Sequence, residues 1–197
     1  MKTLRSALRR AERDLHELGR HFALAGGFAV SVRAEPRTTR DVDFVVAVRD
    51  DPDAESLIAD MTARGYQIVT AIEQSAVNRL ATVRLKSPDA AIIDLLFASS
   101  GVELEIVNRA EVIEVFRGVH LAVPSVGHLI AMKVLSRDDQ ERPQDRVDLA
   151  ALFKHATAAD FVEAHDALRL ITERGYHRGV DLLTALDGAR AELSPDH

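Results

Sequence analysis

Residues 22–48 read Phe22-Ala-Leu-Ala-Gly26-Gly27-Phe-Ala-Val-Ser-Val-Arg33-Ala-Glu-Pro36-Arg37-Thr38-Thr39-Arg40-Asp41-Val42-Asp43-Phe44-Val-Val-Ala-Val48. A short apolar run over 22–25 stops at a glycine pair, and residues 28–34 keep helical spacing up to Pro36, so the stretch reads strand, tight turn, helix. Residues 41–48 then form a β-branched run typical of a strand. Asp41 and Asp43 lie two apart on it and therefore leave the same face. Like charges this close repel, and a divalent cation between them is one remedy. Solvation of the pair at the mouth of the strand is the other.

Working outward, residues 1–20 place Leu4, Leu8, Ala11, Leu15 and Leu18 on one helical face, and 53–64 make a second amphipathic helix capped by Gly65. Strand-like runs follow at 66–69, 80–86 and 91–98, then a pair at 112–116 and 119–123 around Gly118. From Pro124 the pattern is helical only. Ser125 is placed to cap a helix over 126–137, and others span 143–155, 159–174 and 176–193. The expected class is α/β (α+β): a mixed sheet flanked by helices over residues 1–123, then a helical part over 124–197, with 138–142 as the linker.

The chain has 197 residues, a formal charge of −6, 47% apolar residues and no cysteine. Disulfides and thiolate metal sites are excluded. No apolar run approaches the roughly 20 residues of a membrane-spanning helix, and the first 20 residues lack the apolar centre of a signal peptide. A cytoplasmic protein without a membrane partner is expected. The charge is uneven: residues 137–197 carry 13 acidic and 8 basic side chains, whereas 1–136 carry 18 and 17. Lys2, Arg5, Arg9, Arg10, Arg13 and Arg20 enrich the first helix in cations, and Arg33, Arg37 and Arg40 cluster further on. A local anion-binding surface is compatible with this pattern.

Asp94 interrupts Ile92-Ile93-Asp94-Leu95-Leu96, where an unpaired buried carboxylate would cost several kcal/mol. It is either a third ligand on a strand beside Asp41 and Asp43 or a structural acid holding backbone N–H groups. Carboxylates without His or Cys nearby suit Mg²⁺. Gly26-Gly27 leads into a helix whose first N–H groups face a potential phosphate, with Arg33, Arg37 and Arg40 as cations and Thr38 or Thr39 as hydroxyl donor. Lys133 falls among Val126, Leu129 and Ile130 on the helical wheel, either snorkelling or pointing into a cleft. Asp145 repeats the anomaly in the next helix, with Asp148 at its flank. The eight histidines show no metal-ligand spacing, and neither a nucleophile elbow nor a P-loop is present.

Taken in order, Gly26-Gly27, Arg37-Thr38-Thr39-Arg40-Asp41-Val42-Asp43, Asp94, Lys133 and Asp145-Arg146-Val147-Asp148-Leu149 resemble the polymerase-β-type nucleotidyltransferases, above all the AbiEii/AbiGii toxin-like branch. The resemblance covers about residues 20–155. It implies that the glycine turn holds a triphosphate with help from Arg37, Thr39 and Arg40. Asp41, Asp43 and Asp94 would bind Mg²⁺ (or Mn²⁺) and, with Lys133, carry the chemistry, while Lys133 and either Asp145 or Asp148 would line the nucleotide pocket. The superfamily's usual Gly-Ser is Gly-Gly here, so Gly27 offers only its backbone. The implied activity is transfer of a nucleoside monophosphate from an NTP, with release of pyrophosphate, to RNA such as a tRNA 3′ end. A toxin restrained by a cognate antitoxin, in a toxin-antitoxin or phage-defence pair, is the implied setting. A protein hydroxyl or a small molecule as acceptor, or a catalytically silent nucleotide- or partner-binding module, are the rival readings.

Overall fold

The computed structural model describes residues 2–193. Helix α1 (Lys2–Glu17) precedes strand β1 (Phe22–Ala25), α2 (Gly26–Arg33), β2 (Asp41–Val46), α3 (Asp51–Ala63), β3 (Gln67–Gln74), β4 (Arg79–Lys86), β5 (Ile92–Leu96) and α4 (Glu103–Arg109). A hairpin of β6 (Glu111–Phe116) and β7 (Val119–Val123) leads into α5 (Val126–Ser136), α6 (Pro143–His155), α7 (Ala158–Glu173) and α8 (Leu182–Leu193). The main sheet runs β1-β2-β5-β4-β3, with β2 and β5 parallel and the other pairs antiparallel.

Alternation along the strands separates a core face from a cleft face. Val42, Phe44, Val83, Leu85, Ile93 and Leu95 are buried on one side together with Leu8 and Leu15 of α1 and Leu57 and Met61 of α3. Asp41, Asp43, Arg84 and Asp94 occupy the other. In the helical part, α5 packs on α6 and α7, joining Leu129 and Ile130 to Leu149, Leu152, Leu168 and Ile171.

Local chemistry explains most boundaries. Asp50 caps α3 by accepting from the Asp53 N–H, Ser125 caps α5 by accepting from His128, and Pro143 opens α6 where its missing N–H costs nothing. Thr157 and Asp160 close a reciprocal capping box on α7. The strand read at 66–69 continues to Gln74 as β3, and two larger differences concern helices. The 176–193 helix is confined to Leu182–Leu193, because Gly175, Arg178 and Gly179 all take positive φ and a right-handed helix cannot pass through them. Helix α4 was not expected: it is a seven-residue element fixed by Glu103, whose Oε1 accepts from the Ser99 and Ser100 hydroxyls and the Ser100 N–H.

Candidate active site

The parallel pairing of β2 with β5 sets Asp43 directly across from Asp94, and the antiparallel β4 sets Arg84 across from Asp94 on the other side. Asp41 and Asp43 share that face, so three carboxylates gather on it, with one guanidinium among them. Arg84 grips Asp94 with both arms, Nε to Oδ1 at 2.8 Å and Nη2 to Oδ2 at 2.6 Å, and its Nη2 also lies 3.6 Å from Asp41 Oδ2. Sequence reasoning passed over Arg84. The available signal was a cation in an otherwise apolar strand pattern, Leu80-Ala-Thr-Val-Arg84-Leu85.

Burial pushes the Asp43 carboxyl up to about 7, and the neighbouring charges of Asp41 and Asp94 add to the rise, while Lys133 and Arg37 oppose it. The glycine turn explains the confinement. Gly26 has φ +58°, and a Cβ there would stand 1.9 Å from Asp43 Oδ2. Gly26 therefore supplies both a left-handed bend and the space for the carboxylate. At Gly27 a Cβ would collide with the Arg37 guanidinium, 2.6 Å from Nη2.

A second cluster adjoins the first. Lys133 Nζ lies 2.6 Å from Asp145 Oδ1 and 2.8 Å from Asp148 Oδ2, and both acids are almost completely buried. Ser136 donates to Asp145 Oδ2 at 2.9 Å, and Arg37 reaches Asp148 with Nε at 2.8 Å. Lys133 thus touches Asp145 and Asp148 together. Their order in the helix, three residues apart, puts both on the face turned to α5.

The cleft between these clusters has a volume of about 450 Å³ and is bordered by Gly26, Asp43, Arg84, Asp94 and Lys133. Arg142 and Arg178, which the sequence did not single out, also border it. Arg178 donates to the Ser99 carbonyl at 3.1 Å, and burial together with the nearby Arg142 charge lowers its pKa. Other residues named from the sequence lie elsewhere. Thr39 donates to the backbone carbonyl of Asp41, Arg40 is exposed, and Arg37 and Thr39 line an adjoining cavity. Arg33 is spent on the carbonyls of Val123 and Pro124 and on Glu111, so it ties α2 to the end of the hairpin.

Among the described residues, no three carboxylate or imidazole side chains converge closely enough to hold a metal ion as they stand. The donor chemistry nevertheless fits a hard cation: three oxygen donors share one face, and a guanidinium already bridges two of them. Arg84 would have to release Asp94 for that carboxylate to serve as a ligand. No helix among the described residues is long and apolar enough to cross a membrane.

The fold is that of nucleotidyl-transferring enzymes. A crystal structure of ANT(2")-Ia in complex with adenylyl-2"-tobramycin superposes with a TM-score of 0.50 at 14% identity, covering 95% of this chain and 97% of that one. A lincomycin-bound structure of the lincosamide antibiotic adenylyltransferase LnuA gives a TM-score of 0.47 at 14% identity, covering 79% of this chain and 98% of that one. A search of curated proteins gave no match. Residues 7–196 match the family described as "Nucleotidyl transferase AbiEii toxin, Type IV TA system", and the chain belongs to that family. It is accordingly a nucleotidyltransferase.

Proposed function

We propose that the cleft moves a nucleoside monophosphate from an NTP to RNA, at a 3′ end such as that of tRNA, and that the protein acts as the toxin of a pair restrained by its antitoxin. The observation that carries this reading is the Asp43–Asp94 register beneath the Gly26 turn, which joins an acidic strand face to a helix start. Residues 1–123 form the catalytic core in this reading, and 124–197 close the cleft with Lys133, Arg142 and Arg178.

Asp41, Asp43 and Asp94 would hold Mg²⁺ or Mn²⁺. When bound, such ions neutralise phosphate charge and favour an ionised attacking oxygen. The chain's own groups do the rest. The first N–H groups of α2 and the backbone of Gly26 and Gly27 face the phosphates, where the helix dipole favours negative charge. Arg178 is in no ion pair among the described residues, and Arg142 meets only Asp145, at 3.4 Å, so both are placed to meet the phosphates as charge-assisted donors. Lys133, locked by Asp145 and Asp148, contributes a positioned charge rather than a mobile one. The acceptor oxygen forms its bond to the α-phosphorus as the bond to the β-phosphate bridge breaks. Pyrophosphate leaves, and the acceptor's proton passes to Asp94 or to water.

The test is incubation with each radiolabelled NTP, Mg²⁺ and total cellular RNA plus protein, beside an Asp43→Asn control, on one denaturing gel. Label in small RNA that the control lacks is the expected result. Label in protein bands, or on an added aminoglycoside or lincosamide, moves the acceptor away from RNA.

A further inference from the structure

The outer face of α1 and the cavity beside it lie outside the catalytic cleft and have no role in the chemistry described above. Arg5, Ser6, Arg9, Arg10 and Arg13 border a shallow surface depression of about 320 Å³, in a chain whose net charge is −6. Residues 5, 9 and 13 follow one another at i, i+4 and i+8, so three guanidinium groups form a row. Arg10 is paired with Asp89 at 2.7 Å, but Arg13 meets Asp14 and Glu17 only at 3.6 and 3.9 Å. Arg9 is exposed and, among the described residues, has no acidic partner within 4 Å. Arg5 donates to the Arg117 carbonyl at 2.6 Å and is in no ion pair among the described residues, so the row is at most loosely neutralised and suits the forked recognition of successive phosphates.

At Arg5 this row meets a second cavity of about 520 Å³, a size ordinary for a ligand pocket. Its walls are apolar and aromatic: Leu4, Phe28, Val32, Pro36, Val115 and Phe116. Phe28 and Phe116 meet edge to face at 5.5 Å, and the Arg5 guanidinium stands 5.7 Å from the Phe116 ring centre. The ionisable residues on its lining are Arg5 and Arg37. Its far rim is Arg37-Thr38-Thr39, the segment that runs directly into Asp41.

We infer that this face binds single-stranded RNA, with phosphates along Arg5, Arg9 and Arg13 and one unstacked base against Phe28 and Phe116. Cationic tracks beside aromatic walls are how proteins hold single strands without reading sequence. A duplex keeps its bases stacked and cannot fill the cavity. An acidic protein segment would satisfy the arginine row but has no use for an aromatic slot of this kind. The inference rests on RNA being the acceptor, and it supplies the surface that delivers the strand towards Asp41.

The experiment is fluorescence anisotropy of a labelled mixed-sequence single-stranded RNA, the matching duplex and a glutamate-rich peptide, against the full chain. Three variants accompany it: Arg9→Gln/Arg13→Gln, Phe116→Leu and Asp43→Asn, each with a thermal unfolding curve to confirm folding. The single strand is expected to bind more tightly than the duplex. The double arginine variant should lose about tenfold in affinity, and its log–log salt slope should shrink by about 1.4, or roughly 0.7 per phosphate contact. Phe116→Leu should lose about five- to tenfold through the missing ring. Asp43→Asn should bind like the wild type while transferring nothing. Unchanged binding in the arginine and phenylalanine variants, equal binding of duplex, or binding of the acidic peptide in place of RNA would overturn the inference. If the wild type labels no RNA yet the arginine face binds the single strand as described, the surface stands and the acceptor assignment falls. If RNA is labelled with an unaltered KM in the double arginine variant, the reverse holds.

Discussion

The two charged clusters of the cleft are built on opposite principles. On the sheet, three carboxylates share one face with a single half-exposed guanidinium, and burial and the acidic neighbours push the Asp43 carboxyl up to about 7. Between α5 and α6, one lysine meets two buried acids, which also receive Arg37 and Ser136. The first cluster is short of positive charge and gains from any cation that arrives. The second is saturated, and removing Lys133 takes from each of two buried acids a cation within 2.8 Å. In the proposed reading carboxylates therefore do different things in the two places: some await a ligand, and the others fix the helix that borders it.

Substitutions should separate these roles. Asp43→Asn is expected to lower nucleotide transfer by about a thousandfold or more, since several kcal/mol of transition-state stabilisation would go. Its thermal midpoint should hold or rise, because a repelling charge has been removed. Equal loss of activity and stability would mean that the acidic face is structural. Lys133→Ala should behave oppositely in calorimetry, losing about 3 kcal/mol of stability, the low end for a broken buried pair, because Arg37 still meets Asp148 and Arg142 lies 3.4 Å from Asp145. A midpoint matching the wild type would show that the saturated cluster is not needed for the fold.

Gly26→Ala lies between the two. A positive φ costs an alanine about 1–2 kcal/mol, and its Cβ must displace the Asp43 carboxylate. A drop in kcat of about a hundredfold is expected from misplacing a reacting group by an ångström. Arg84→Ala should raise the affinity for Mn²⁺, read by electron paramagnetic resonance, by about tenfold, the equivalent of roughly 1.4 kcal/mol of relieved competition at Asp94. Weaker Mn²⁺ binding would instead make Arg84 a support for the acid.

The smallest effect belongs to a clasp outside both clusters. Hydrogen bonds from Arg20 and from the Arg49 backbone lower the Asp53 carboxyl to about 2. Because the folded form ionises more readily than the unfolded one, the clasp stabilises fully above about pH 4 and its contribution fades as pH falls towards 2. Asp53→Asn should remove that portion of the acid transition, followed by circular dichroism, and leave stability at pH 2 nearly unchanged.

Much of the fold was legible because short-range rules govern it. The β7 range and the α6 range coincide with the runs read from periodicity, and the Ser125 cap follows from one hydroxyl before an apolar helix. The 176–193 helix was not, since Gly175 and Gly179 hide in a pattern that otherwise keeps helical spacing. Three charged residues were legible as anomalies: Asp94 in an apolar strand, and Lys133 and Asp145 on apolar helix faces. Arg142 and Arg178 were not, because an arginine in a loop breaks no local rule, and Arg84 left only the weak signal of a cation in a mostly apolar strand.

By itself, then, the sequence determined which residues carry unusual chemistry for their surroundings, the strand that bears Asp41 and Asp43, and the family. The pairing of Asp43 with Asp94 across 51 residues of chain, the hold of Arg84 on Asp94, and the lock of Lys133 between Asp145 and Asp148 were decided only in three dimensions. Periodicity fixes the face on which a side chain leaves its own element. Strand order and helix packing decide which face it meets, and those depend on contacts that no local pattern encodes.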